Sequence, residues 1–175
     1  MPTLRVQMED SNIIADANSY VTLEEFTTYA DEHGFDISSY TEDEIIVALI
    51  KAQEFLDDRF SYIGFPEQDY LAQNTEFPRS HIYTYRSSRF IRGLPREVVQ
   101  AQHEYAFRAL SSPLFNDIDQ GRVNVKRTTE KVGSLEETIE YFNDNDADVY
   151  EIFQKPDRIL LNSGLVTDNN FILLG

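Results

Sequence analysis

Arginine and aromatic side chains alternate along residues 79–96, and no other part of the sequence is better equipped for binding. The arginines are Arg79, Arg86, Arg89, Arg92 and Arg96, and the aromatic residues among them are Tyr83, Tyr85 and Phe90. Guanidinium groups that hold phosphates and rings that stack on bases are the equipment of single-strand nucleic-acid binding. The same residue types are enriched at the centres of protein interfaces. Because the cations are all arginine, which pairs bidentately with carboxylates, we favour a protein interface over a nucleic-acid site or a merely solvated loop.

The charge distribution supports that preference. The chain of 175 residues carries a net charge of −16. Residues 1–78 hold 17 acidic and 3 basic side chains, whereas residues 79–131 hold 10 basic and 5 acidic ones. A duplex-binding protein of this size is normally basic. The asymmetry instead suggests that the basic segment of one copy meets the acidic segment of another, although a solvated surface without a partner gives the same pattern.

Most motifs of catalysis and cofactor binding are missing from the sequence. There is no Cys, and the seven glycines form neither a dinucleotide fingerprint nor a phosphate-binding loop. Asp144, Asp146 and Asp148 imitate the start of a calcium loop, but Val149 and Lys155 stand where that loop needs Gly and Glu. We therefore expect no enzyme activity, no cofactor and no metal. No apolar run approaches the length of a membrane-spanning helix, so we expect no membrane partner.

Helices dominate the first two thirds of the chain. Thr22 with Glu25, and Thr41 with Glu44, are capping boxes that predict helices over residues 23–33 and 42–60. Pro95 predicts the start of a third helix, whose apolar stripe runs from Val98 to Leu110. The predicted core joins apolar residues of all three helices. These are Phe26, Tyr29, Ile45, Leu49, Ala52, Phe55, Leu56, Val98, Tyr105 and Ala106.

The period changes to two after Gly121, which predicts a β-hairpin over residues 122–142. The predicted fold is mainly α: a small bundle of three main helices with a projecting β-hairpin and an extended C-terminal tail. The expected segments are an N-terminal arm (1–17), a helical body (18–121) with an irregular Arg-rich loop (61–93), the hairpin, and the tail (143–175). Pro156 is expected to stop a single helical turn. Residues 123–142 of the hairpin and residues 159–175 of the tail are predicted to become ordered on assembly. A second interface candidate in the tail is the apolar patch Phe171, Ile172, Leu173 and Leu174.

Several segments in order resemble the phage head–tail connector, or adaptor, family, whose members often carry the label DnaT-like single-stranded DNA-binding. The resembling pieces include residues 18–25, residues 48–60 and residues 93–98. That family usually has an aromatic residue before Pro-Arg, and this chain has Phe77-Pro78-Arg79 at that place. The turn of the predicted hairpin, at residues 131–133, also resembles the family's hairpin turn. The family usually closes with a short helix, whereas this sequence predicts a polar tail.

The resemblance implies a virion structural protein that forms a homo-oligomeric ring, commonly of twelve copies, between the portal and the tail or next neck protein of a tailed phage. DNA would pass through the lumen without tight binding. The protein would be assembled in the host cytoplasm and reside at the head–tail junction of the virion. The alternative, implied by the DnaT-like label, is a single-stranded DNA-binding module of a replication or primosomal system. The acidic balance favours the adaptor.

Overall fold

The structure, a computed structural model, describes residues 1–7, 13–69, 71–84, 89–115, 125–131, 136–141 and 153–167. Residues 1–114 together with 153–175 form one compact unit, and residues 115–152 form a second. The fold is mainly α with small antiparallel hairpins, which confirms the predicted fold class. Among the described residues, no helix has the length and apolar character needed to cross a membrane.

The first two helices begin where their capping boxes predict. Helix α1 spans Leu23–His33 and α2 spans Glu42–Arg59. At each start, the threonine hydroxyl accepts the amide of the glutamate three residues on, and the glutamate side chain accepts the threonine amide. Gly34 ends α1 with φ at 68°, in the left-handed region that glycine adopts without strain.

The core lies where these helices meet α3, which spans Arg96–Ser111. Leu49 of α2 and Tyr105 of α3 are fully buried, as is Phe26 of α1. The predicted core is confirmed except at Tyr29, which is only partly buried. Gln102 of α3 adds a polar tie, because its side chain accepts the amide of Tyr20 and donates to the carbonyl of Leu49.

The segment 61–93, predicted to be irregular, contains four short strands. Strand β1 (Phe65–Pro66) pairs with β2 (Arg79–Ser80), and β3 (Ile82–Thr84) pairs with β4 (Arg89–Ile91). Strands of two or three residues are too short to show an alternating pattern, so composition alone indicated a loop. In the second unit, β5 (Val125–Lys131) and β6 (Glu136–Tyr141) form the predicted hairpin, with Thr129 opposite Thr138.

The predicted tail is wrong for residues 153–167, which belong to the first unit. Helix α4 spans Gln154–Ser163, so Pro156 lies in the first turn of a helix instead of ending one. Proline is tolerated there because the first amides have no partner within the helix. Leu160 and Leu165 are buried in the same core as α2 and α3. The patch Phe171 to Leu174 lies outside the described residues.

The described part of the N-terminal arm also packs on this unit. The amide of Gln7 donates to the carbonyl of Ser19 at 2.8 Å, and the amide of Asn18 donates to the carbonyl of Arg5 at 2.8 Å. Gln7 and Ala17 are fully buried. Backbone hydrogen bonds therefore fix the described part of the predicted N-terminal arm, and such bonds leave no hydrophobic periodicity in the sequence.

Candidate functional site

The β3–β4 hairpin places two aromatic rings side by side on its outer face. Tyr83 lies directly opposite Phe90 in the strand register, and Ile82 lies opposite Ile91. Successive residues of a strand point to opposite faces. Ile82 is fully buried and Ile91 partly buried, whereas Tyr83 is 52% exposed and Phe90 is 70% exposed. One face therefore anchors the hairpin to the core and the other presents the rings to solvent.

The two exposed rings touch across the strands. Their centroids are 5.4 Å apart at an interplanar angle of 61°. This edge-to-face geometry is favourable between aromatic pairs. It also leaves part of each ring face uncovered, so that a planar group from outside can stack there.

Exposed arginines follow the ring pair along the chain. Arg92 is exposed and stands two positions after Phe90, the spacing that returns to the same face of an extended chain. Arg96 begins α3, and its side chain is 82% exposed with Nε 3.3 Å from the carboxylate of its neighbour Glu97. The backbone of Arg89 lies in β4 opposite Thr84. We call Tyr83, Phe90 and Arg92 the hairpin face. Tyr85 and Arg86 lie outside the described residues.

Arg79 is not available to a partner, which corrects its assignment as an interface residue. It is 6% exposed, and its guanidinium donates to three carbonyls of the segment before β1 and to one further carbonyl and carboxylate. The acceptors are the carbonyl oxygens of Tyr62, Ile63, Gly64 and Glu76 and the Glu76 carboxylate. Arg79 therefore fixes the chain that leads into the β3–β4 hairpin and has a structural role.

A carboxylate on α2 ties the same chain segment to the helices. Tyr20 Oη donates to Asp57 Oδ1 at 2.8 Å. Asp57 Oδ2 accepts the backbone amide of Glu76 at 2.9 Å and the side-chain amide of Gln53 at 2.5 Å. Tyr20 Oη in turn accepts the amide of Phe77. Asp57 thus links α2 to residues 76–77, from which the strands β2 and β3 continue.

Burial of this carboxyl group raises the pKa of Asp57 to about 7, although the amide of Glu76 and the hydroxyl of Tyr20 oppose the shift. The folded protein therefore binds this proton more tightly than the unfolded chain. The bound proton therefore stabilises the folded state. This contribution to the free energy of unfolding is fully present below the ordinary aspartate pKa and declines as the pH rises towards about 7.

We predict that Asp57→Asn flattens the dependence of stability on pH between about 5 and 7, where one proton changes the free energy of unfolding by at most ~1.4 kcal/mol per unit. Denaturant unfolding at several pH values measures this. The exposed Asp58 offers a matched control, since Asp58→Asn should leave the slope of the wild-type protein unchanged. Equal slopes in all three proteins would show that Asp57 does not titrate in this range.

Tyr20 and Asp57 position the site, although the sequence did not predict this role for either residue. Tyr20 belongs to the segment before α1, and Asp57 stands at the end of α2 among other acidic residues. Their hydrogen bonds span 37 residues, and nothing in the local pattern marks such a pair. Gln53 and Asp57 are polar residues on a face of the helix that is otherwise mostly apolar. This is the only feature of the sequence that could indicate their role.

Comparison with known proteins gives one family. No curated protein and no solved structure matches the chain. A family profile matches residues 4–170, which include the hairpin face, Asp57 with its hydrogen-bond partners, and α4. This match spans nearly the whole sequence, so the chain belongs to the family described as "Putative DnaT-like ssDNA binding protein".

Proposed function

We propose that the chain binds single-stranded DNA through the hairpin face. The observation that carries this proposal is the exposed, adjacent pair Tyr83 and Phe90 on a hairpin whose other face is anchored in the core. Monomeric proteins seldom leave two large rings together in solvent without a use for them. The description of the family supports this strand-binding alternative better than the adaptor function, which the resemblance implies and the charge balance favours.

The chemistry of the hairpin face suits an unpaired strand. Every base offers a flat face, so stacking on tyrosine and phenylalanine requires no particular sequence and is worth about 1–3 kcal/mol per base. Arg92 adds a cation near the rings, and Arg89 and Arg96 stand within a few residues along the chain. A guanidinium pairs with phosphate through two parallel hydrogen bonds. In a duplex the bases are stacked on one another inside the helix, so no base face is free to stack on Tyr83 or Phe90.

The net charge of −16 limits how tightly the chain can bind single-stranded DNA. Acidic residues on α1 and α2 repel phosphates, so binding is expected to be confined to the hairpin and to weaken with added salt. Stacking, which is less sensitive to salt, supplies the larger share of the binding free energy.

We predict that the double variant Tyr83→Ala/Phe90→Ala binds a fluorescent oligothymidylate at least about 30-fold more weakly, because two stacking platforms worth about 1–3 kcal/mol each are lost. Fluorescence anisotropy measures the dissociation constant. Leu71→Ala is the matched control, since Leu71 is 78% exposed and apolar but not aromatic. Tyr83→Phe should keep wild-type affinity. If the double variant and the control bind the oligonucleotide with equal affinity, the two rings do not take part in binding.

A second candidate is the head–tail adaptor, and the charge balance favours it. In this function the chain forms a homo-oligomeric ring, commonly of twelve copies, that contacts the portal and a tail or neck protein at the head–tail junction of the virion. An acidic lumen lets DNA pass without gripping it, and the hairpin face is then a protein interface. In both candidates the chain acts by binding and not by catalysis. Incorporation of Arg92→Glu protein into phage particles at normal copy number would contradict a hairpin interface in the adaptor.

A further inference from the structure

A second surface, away from the hairpin strands, lies between α1 and α3. It is an open groove of about 470 Å³. Its lining includes the carboxylates of Glu24, Glu25 and Glu32 with Thr28, Tyr29 and His103. Glu25 and Glu32 are seven residues apart, so they lie on one side of α1 with Tyr29 between them. The groove therefore combines negative charge with an aromatic floor.

The floor is a stack of three rings. The Tyr29 ring lies 3.8 Å from that of His33 and 4.3 Å from that of His103, with interplanar angles of 18° and 4°. Tyr29 Oη donates to Glu104 Oε1 at 2.7 Å. The stack joins α1 to α3 and holds the groove in one shape, so an occupant finds a preorganised site.

His103 is the feature that packing leaves unexplained. The residue is 5% exposed, it lines the groove, and its buried Nδ1 has no hydrogen-bond partner among the residues that the structure describes. Burial lowers the pKa of its imidazole to about 4, so the ring is neutral at pH 7. A neutral imidazole keeps one nitrogen as an acceptor. The groove thus offers acceptors, which calls for an occupant rich in donors.

The occupant that fits is a guanidinium group. No group of three or more His, Asp and Glu side chains among the described residues is arranged to hold a metal ion. A guanidinium carries five donors in a planar fork and pairs with carboxylates bidentately. The chain itself carries such cations on its surface. Arg92 is exposed and has no ion pair with the part of the chain that the structure describes.

We propose that this acidic groove binds Arg92 from a second copy of the chain. Each copy carries 17 acidic and 3 basic residues in its first 78 positions and a basic middle segment after them, so the two segments are complementary in charge between copies. Groove and arginine occupy different places on one chain, so the contact is head-to-side. Each bound copy still offers a free groove and a free Arg92, and association continues beyond a dimer into a closed ring or an open chain of copies.

The test is sedimentation velocity of the full chain over a concentration series at low salt. The wild-type protein should associate beyond the dimer, and Glu32→Arg and Arg92→Glu should each weaken association at least about tenfold. The double variant that carries both changes should restore it, because the charges are exchanged. Glu32 lies in the last turn of α1, where a cation suits the helix dipole, so Glu32→Arg should fold normally.

Glu54→Arg makes the same charge change at an exposed position of α2 outside the groove and should associate like the wild-type protein. A wild-type protein that stays monomeric at low salt, or a Glu32→Arg variant that associates like Glu54→Arg, would overturn the proposal. This inference does not depend on DNA binding. Glu32→Arg leaves every residue of the hairpin face in place. Oligothymidylate binding by this variant, at concentrations at which it is monomeric, therefore reports on the hairpin face without a neighbouring copy, so failure of one proposal is distinguishable from failure of the other.

Discussion

Replacing Asp157 with alanine is expected to lower the free energy of unfolding by about 3–5 kcal/mol. Asp157 of α4 forms an ion pair with Arg59 of α2, with Nη2 2.8 Å from Oδ2, and the two side chains are 5% and 1% exposed. Asp157 also accepts the hydroxyl of Tyr105 and the amide of Phe153. The variant removes the Asp157 carboxylate from a cation that is buried beside the ring of Phe55, and the loss of this ion pair accounts for the large effect.

Urea unfolding followed by circular dichroism measures this change. Asp58→Ala is the control, because Asp58 is exposed on the same helix as Arg59 and its removal should change stability by less than about 0.5 kcal/mol. A loss of less than about 1 kcal/mol for Asp157→Ala would mean that α4 does not contribute to the cooperative unit that unfolds with α2 and α3.

Leu49→Ala should destabilise the protein by about 2–5 kcal/mol. Leu49 is fully buried in the core where α2 packs on α3, and its carbonyl accepts the side-chain amide of Gln102. The substitution removes apolar contacts and leaves a cavity that the backbone tie to Gln102 prevents from closing. Thermal and denaturant unfolding both report the loss.

Val47 provides the comparison for this variant. It lies on the same helix but is 38% exposed, so Val47→Ala should cost less than about 1 kcal/mol. Helix propensity cannot cause a loss in either variant, because alanine is the stronger helix former at both positions. If both variants lose the same stability, burial of Leu49 does not determine the effect, and the assignment of the buried face of α2 is wrong.

The sequence predicts those parts of the fold whose causes are local. The capping boxes at Thr22 and Thr41 predict the starts of α1 and α2 because the hydrogen bonds involved join residues three apart. Pro156 misleads because proline is tolerated in a first turn but breaks a helix interior, and only the packing of Leu160 distinguishes the two cases.

The candidate site is predictable in composition but not in detail. Alternating arginine and aromatic residues indicate a binding segment, and Tyr83 and Phe90 do lie exposed. Arg79 looks equivalent to Arg92 in the sequence, yet three of its acceptors are carbonyls 15 to 17 residues away along the chain. Partners at that separation follow from the tertiary fold, and no local pattern separates a structural arginine from one that faces solvent.

The most direct test of the central claim is the salt dependence of oligothymidylate binding by the wild-type protein. Anisotropy titrations between about 50 and 200 mM salt should give a dissociation constant that rises with salt. Two or three arginine–phosphate contacts predict a slope of about −1.4 to −2.1 in log affinity against log salt, since each contact with a single strand contributes about −0.7. A duplex of equal length should bind more weakly. No anisotropy change at the lowest salt, with the protein folded, would contradict single-stranded DNA binding at the hairpin face.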